Sequence, residues 1–120
     1  MAVNDAYIID AMAIDKNTNT LVLLIIDPYT WAVQELDHLK AVQKKINTYV
    51  SYIQKKGYRS QYGDNTDFDG FRIELKCKYQ YTRRGTAVFE AGKKQLKERN
   101  IDFVYSVEDT SKNETAKEEN

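Results

Sequence analysis

The feature that most restricts the fold is a long apolar stripe between Trp31 and Lys56. Apolar side chains recur there at steps of three and four residues, which is the spacing of one helix face, while Lys45 is interpreted as lying off that face. The stripe consists of Leu36, Leu39, Val42, Ile46, Tyr49, Val50 and Ile53. Such a helix measures about 39 Å at 1.5 Å per residue, so we expect one end to project beyond the sheet of so small a domain.

The two ends of this helix carry local signals. Asp27 and Pro28 are predicted to open it, because proline suits the first turn and a carboxylate can accept the unpaired amide hydrogens. Gly57 is predicted to end it as the left-handed residue after the last turn.

Four segments have the composition of strands. Tyr7–Asp15 and Leu21–Asp27 flank an Asn- and Thr-rich turn and predict a hairpin. Phe71–Tyr81 alternates strictly between apolar and polar residues, which is typical of a sheet with one face toward solvent. A shorter helix over about 86–99 precedes the last predicted strand, Ile101–Val107.

These elements predict an α+β domain with the order ββαβαβ, in which a four-stranded sheet packs on one long and one shorter helix. Residues 57–70 are loop by composition. We assign residues 1–107 to a single domain, as expected for a chain of 120 residues. Residues 108–120 contain no apolar side chain except Ala116 and are predicted to form a disordered acidic C-terminal tail.

Composition and charge exclude several classes of protein. The net charge is zero, although residues 71–100 carry a balance of +6 and residues 101–120 one of −4, so a dedicated nucleic-acid binder is not indicated. The longest apolar run, residues 21–26, is far shorter than the roughly 20 residues of a membrane span. The N-terminus has neither the basic region nor the apolar core of a signal peptide, which predicts a cytoplasmic protein without a membrane partner.

Two motifs suggest a metal or a thiol site, and neither is complete. Residues 65–70 resemble the opening of a calcium loop, but the position of its closing acid is Lys76, so we predict a turn and no metal. Cys77, the only cysteine, is expected on the apolar face of its strand, and His38 beside the helix stripe. An inert thiol is therefore favoured over a Cys–His nucleophile, and no cofactor is predicted.

A pair of acids gives the catalytic alternative. If Asp15 pairs with Thr20, Asp10 and Asp27 lie on neighbouring strands about two residues out of register, roughly 7–8 Å apart. Some glycosidases use a similar separation of carboxyl groups. The alternative function is therefore a small hydrolase or isomerase that uses Asp10 as acid or base.

The same alternation of residues argues against a nucleic-acid site. Basic side chains cluster around Lys76, Lys78 and Arg83 with Tyr79 and Tyr81 between them. Alternation places the tyrosines opposite the lysines, so the two sets cannot bind one strand together, and nucleic acid is not expected to be a partner.

The N-terminal half resembles a known family. The matching residues are Ile8-Ile9-Asp10-Ala11-Met12, Ile14-Asp15, Leu21 to Asp27, Trp31, His38-Leu39 and Gln43 to Tyr49. They resemble a small family of bacterial proteins that is known as a domain of unknown function, best over residues 8–57 and more loosely to Val107. The resemblance implies a bacterial cytoplasmic protein and supplies no activity, cofactor or catalytic residue. Bacterial immunity proteins are comparable at the level of fold class only.

The favoured function is a non-catalytic protein-interaction module, either immunity-like or homo-oligomeric, that binds a protein partner or a second copy of itself. The candidate anchors are aromatic residues flanking the long helix: Tyr29, Trp31, Tyr52, Tyr58 and Tyr62. Trp31 could equally fill the core at the start of the helix. The outer face of the first hairpin is a second candidate surface, because both faces of Leu21–Ile26 are apolar. The alternative is that the second helix crosses the sheet and covers that face.

Overall fold

The computed structural model describes residues 9–31 and 34–108. Its strands are β1 (Ala11–Asp15), β2 (Thr20–Asp27), β3 (Gly70–Cys77) and β4 (Ile101–Val107), and its helices are α1 (Glu35–Gln54), α2 (Arg59–Tyr62) and α3 (Arg83–Lys97). The predicted α+β class, the four strands and the two main helices are confirmed. The short helix α2 is an addition within the segment predicted as loop. The predicted tail beyond Glu108 and the predicted strand start at Tyr7 lie outside the described residues.

The sheet has the order β1-β2-β3-β4 and is mixed. β1 pairs antiparallel with β2, and the register Asp15↔Thr20 is the one that the hairpin turn predicts. β2 pairs parallel with β3, and β3 parallel with β4, through crossovers that contain α1 and α3. Since both crossovers step in the same direction across the sheet and such crossovers share one hand, both helices lie on one face.

The hydrophobic core lies between that face and the two helices. Leu39 of α1 and Phe89 of α3 pack in one cluster with Leu23, Ile73 and Phe103 of the sheet. The alternative in which the second helix covers the far side is therefore wrong. The opposite face, which we call the helix-free face, is covered by neither α1 nor α3.

The helix boundaries differ from those predicted. α1 begins at Glu35 after Gln34, whose φ of 59° is left-handed, so Trp31 precedes the helix. Asp27 ends β2 instead of capping the helix, because its Oδ1 accepts the Tyr29 amide hydrogen at 3.2 Å. With 20 residues, α1 is about 30 Å long and not 39 Å.

The end of α1 shows what Gly57 does. The left-handed residue there is Lys56, with φ 58°, and not Gly57 as predicted. A Cβ on Gly57 would lie 2.6 Å from the Tyr52 ring, so glycine is required by close packing.

The third strand also ends earlier than predicted, at Cys77 and not at Tyr81. Its last contact with β2 is the Lys78 amide, which donates to the Asp27 carbonyl at 2.8 Å. β2 turns away at Pro28, so no strand is left for β3 to pair with on that side. α3 starts at Arg83 because Thr82 Oγ1 caps the Gly85 amide at 3.0 Å.

Candidate functional site

A buried polar cluster lies where β2 and β3 end. Asp27 and Cys77 are register partners on these strands, and His38 reaches them from the first turn of α1. The His38 Nε2 lies 2.6 Å from Asp27 Oδ2, and the Cys77 Sγ lies 3.9 Å from the same oxygen. Asp27 and His38 are 0% and 8% exposed, so His38 is buried and the prediction that it lies beside the helix stripe is wrong.

Both ring nitrogens of His38 face oxygen atoms. Its Nδ1 lies 3.2 Å from the Thr30 carbonyl oxygen, and its Nε2 lies next to the Asp27 carboxylate. A doubly protonated ring can donate to both oxygens, whereas a neutral ring can donate to one of them. Trp31 stacks on this ring with 3.9 Å between centroids.

The cluster has the residue types of a cysteine nucleophile site without its arrangement. The thiol donates to Asp27 Oδ2, and His38 Nε2 is bonded to the same oxygen and not to the sulfur. Burial, and after it the Asp27 carboxylate, raises the pKa of Cys77 to about 12. Because a thiolate is the reactive form, this environment makes the thiol unreactive at neutral pH, in agreement with the prediction of an inert cysteine.

A second buried cluster joins Asp10 to α1. Lys45 Nζ donates to Asp10 Oδ1 at 2.7 Å, and the two side chains are 0% and 5% exposed. The other carboxylate oxygen accepts the Ile26 amide hydrogen at 2.9 Å. Tyr49 completes the cluster, because its hydroxyl accepts from the Asp10 amide at 2.9 Å and donates to the Leu24 carbonyl.

At Asp10, where β1 no longer pairs with β2, the hydrogen bonds of this second cluster replace those between the two strands. Both carboxylate oxygens of Asp10 are occupied by the protein itself, and burial raises the pKa of Tyr49 above its ordinary value. Asp10 and Asp27 thus belong to two different networks.

Sequence reasoning missed Lys45 as a member of this cluster, although the signal was present. Lys45 lies three residues after Val42 and four before Tyr49. That spacing places it on the buried stripe of α1, whereas it was interpreted as lying off the stripe. His38 lies four residues before Val42 and follows the same rule.

The calcium-like segment is held by other contacts. Asp67 Oδ1 is bonded by Arg59 at 3.3 Å and by the Tyr58 hydroxyl at 3.4 Å. Within residues 9–31 and 34–108, no three His, Cys, Asp or Glu side chains are grouped so that they could hold a metal ion.

The five predicted aromatic anchors do not form one surface. Trp31 and Tyr58 are 3% and 1% exposed and belong to the hydrophobic core, so they are corrected to core residues. Tyr52 lies in the last turn of α1 and Tyr62 at the end of α2, and both are half-buried. Tyr29 is 41% exposed and lies before the helix, at the other end of the domain.

The basic and aromatic residues after β3 are also kept apart. The Tyr81 ring packs against Phe89 and Tyr105 on the core side, with centroids 5.4 Å away in each case. Lys78 lies over Tyr79, with 5.6 Å from its Nζ to the ring centroid. The tyrosines are therefore occupied by contacts within the domain.

The helix-free face is the face of the sheet that α1 and α3 leave uncovered. β2 contributes Val22, Leu24 and Ile26 to it, because they alternate with the core residues Leu21, Leu23 and Ile25. β3 contributes a charged row, Arg72, Glu74 and Lys76, and β4 contributes Val104.

Exposure on this face is uneven. Ile26 and Val104 are 41% and 43% exposed on either side of the charged row, whereas Val22 is only 6% exposed. Within the row, Glu74 accepts from Arg72 Nε at 2.8 Å and lies 3.3 Å from Lys76 Nζ.

None of the helices in the described part of the chain is both long and apolar enough to cross a membrane.

The fold defines a small α+β domain with a mixed sheet and helices on one face only. The family model of DUF6572, a family of unknown function, matches residues 1–109. The chain belongs to this family, and the resemblance to a domain of unknown function is confirmed. Searches of curated proteins and of solved structures find no match.

Proposed function

We propose that this protein is a non-catalytic protein-interaction module that binds a second copy of itself through the helix-free face. The observation that carries the proposal is the exposure of Ile26 and Val104 on a face that neither main helix covers. A sheet face turned toward water normally carries polar side chains, as β3 does here with Arg72, Glu74 and Lys76. β2 departs from that rule, because it places Val22, Leu24 and Ile26 on this face and leaves Ile26 exposed, where a second copy would cover it.

The charged row supports pairing of two identical faces. Along β3 the signs run positive, negative, positive from Arg72 through Glu74 to Lys76. If a second copy lies across the face with its strand reversed, Arg72 of each copy can face Glu74 of the other. A two-fold interface places the same patch on both subunits, and this row is complementary to itself in that arrangement.

The dimensions of the face set the expected strength. Four strands of about seven residues cover roughly 19 Å by 23 Å. That is about half of the roughly 800 Å² that each partner contributes to a standard interface. We therefore expect weak association, with a dissociation constant in the micromolar range or above, that weakens with salt because of the charged row.

The test is the solution mass of the wild type and of two matched lysine variants at tens to hundreds of micromolar. Ile26→Lys places a charge on the helix-free face, while Ile14→Lys places it at a side chain 37% exposed on the other face. We expect the wild type and Ile14→Lys to increase in mass with concentration and Ile26→Lys to stay monomeric. A wild type that remains monomeric throughout contradicts the proposal, as does an equal effect of both variants.

We also propose that the module works in the bacterial cytoplasm, as the family resemblance implies. A foreign protein partner, as for an immunity-like protein, would compete for the same face. It would displace the second copy, which the mass measurement detects. The alternative of a hydrolase using Asp10 lacks support, because both oxygens of that carboxylate are bound within the domain.

A further inference from the structure

The two main helices leave a groove between them on the side of the domain away from the helix-free face. Its floor includes Phe103 of β4 and Val42 of α1, and its volume is about 740 Å³. Ligand sites of proteins are clefts of roughly 300–1,000 Å³, often between helices. No residue of the two buried clusters lines this groove, so it is independent of them.

The lining of the groove is almost without charge. From α1 it receives the uncharged polar side chains of Gln43, Asn47, Ser51 and Gln54, and from α3 that of Gln95. The only charged lining residues are Glu98 and Arg99, next to each other at the C-terminal end of α3. In a chain of which 30% is charged, a groove with this lining favours an uncharged occupant.

The neutrality is a property of one side of α3. Lys93, Lys94 and Lys97 line a different groove, along β4 at the edge of the sheet, and Lys93 lies over the Tyr105 ring there. The helix thus separates its basic side chains from the side that faces α1.

Gly92 widens the groove at a cost to the helix. A Cβ built on Gly92 meets nothing within 4 Å, and its backbone does not have the positive φ that would require glycine. A glycine inside a helix is less favourable than alanine. Packing does not require this glycine, and its effect is to leave the wall of the groove open.

The length of the groove sets the length of the occupant. It is lined by α1 from Val42 to Gln54 and by α3 from Val88 to Arg99, a length of about 18 Å at 1.5 Å per residue. An extended segment of about five residues spans this length at 3.3–3.4 Å per residue.

The polar side chains of α1 have a spacing that suits an extended backbone. Gln43, Asn47 and Ser51 are four residues apart, which is about 6.0 Å along the helix. Backbone groups on one side of an extended chain repeat every two residues, or about 6.6–6.8 Å. Each carboxamide both donates and accepts, as a peptide backbone requires.

We propose that the groove between α1 and α3 binds an extended, uncharged peptide segment of about five residues. Alternate apolar side chains of the segment lie on the floor, and its backbone is hydrogen-bonded by the polar side chains of α1. This site is separate from the helix-free face.

The experiment selects peptides from a displayed library of random heptapeptides against the whole protein. The enriched sequences are then synthesised with blocked, uncharged ends, and their binding is measured by fluorescence polarisation. Gly92→Leu fills the groove, and Ala87→Leu, at an exposed position of α3 outside it, is the matched control. Circular dichroism and thermal unfolding verify that both variants are folded.

We expect uncharged sequences with alternating apolar residues, an at least tenfold loss of affinity in Gly92→Leu and no loss in Ala87→Leu. If the selection enriches no sequence, the proposal is overturned. So do acidic sequences or sequences that bind Gly92→Leu as well as the wild type, since these would indicate the lysine-lined edge of β4. Gly92→Leu leaves the concentration dependence of the mass unchanged, which keeps this test distinct from that of the helix-free face.

Discussion

Removal of the Asp27 carboxylate is expected to be the most destabilising single truncation at the C-terminal ends of the strands. In Asp27→Ala, three groups lose their partner: the His38 ring at 2.6 Å, the Tyr29 amide at 3.2 Å and the Cys77 thiol at 3.9 Å. A doubly protonated ring would then be buried without a counter-ion. Breaking a buried ion pair from one side costs about 3–5 kcal/mol.

That loss is a large part of the stability of a domain this size, which is typically about 5–15 kcal/mol. A loss of 1 kcal/mol lowers the melting temperature of a domain of 60–100 residues by roughly 4–8 °C, so we expect a decrease of at least about 12 °C. Urea unfolding followed by the fluorescence of Trp31, the single tryptophan, is the suitable assay because this ring stacks on His38.

The matched control is Asp64→Ala, which removes an exposed carboxylate and should change stability by less than about 0.5 kcal/mol. Asp27→Asn keeps the size of the side chain and removes its charge, so it should lie between the two. If Asp27→Ala costs less than about 1 kcal/mol, or no more than Asp64→Ala, the argument from the buried ion pair is refuted.

Two further predictions concern the buried groups. The pKa of Cys77 is raised from 9.0 to about 12 in the folded state, so the stabilisation by the protonated thiol is complete below pH 9 and is lost as the pH rises toward 12. The stability advantage of the wild type over Cys77→Ala, measured by urea unfolding, should therefore decrease from pH 8 to pH 11. An advantage that does not change with pH would contradict this prediction. Lys45→Ala should cost about 3–5 kcal/mol because it leaves the Asp10 carboxylate buried without its partner. The double variant Asp10→Asn with Lys45→Met should cost less than the sum of Asp10→Asn and Lys45→Met measured singly, because only the double variant leaves neither charge buried without its partner. Strictly additive losses in this double-mutant cycle would show that the two side chains are not coupled.

Part of this architecture can be predicted from local patterns. Ile101–Val107 is a strand with the predicted bounds, and the hairpin register Asp15↔Thr20 follows from the turn between its strands. The alternation along Phe71–Cys77 correctly indicates which side chains face the core, because successive residues of a strand point to opposite faces whatever surrounds them. The spacing on α1 also predicts that Lys45 is buried, if the position of Lys45 on the stripe is considered and not its charge.

The ends of the elements were decided by contacts between distant residues. α1 starts after Trp31 because this ring is needed in the core against His38, and Gly57 is a glycine because the Tyr52 ring occupies the space of its Cβ. β3 stops where β2 turns away at Pro28. Local propensities do not predict these element ends, since each end depends on where another segment of the chain lies.

The amino-acid sequence by itself determined the α+β class, the order of the strands and main helices along the chain and the family to which the chain belongs. Only the tertiary structure decided that α1 and α3 share one face of the sheet, and which buried charges pair. Asp10 meets Lys45 across 35 residues and Asp27 meets His38 across 11. Periodicity reports the face on which a residue lies, but a partner is chosen by the crossing of chain segments in space, and that crossing follows from how the whole sheet and both helices pack together.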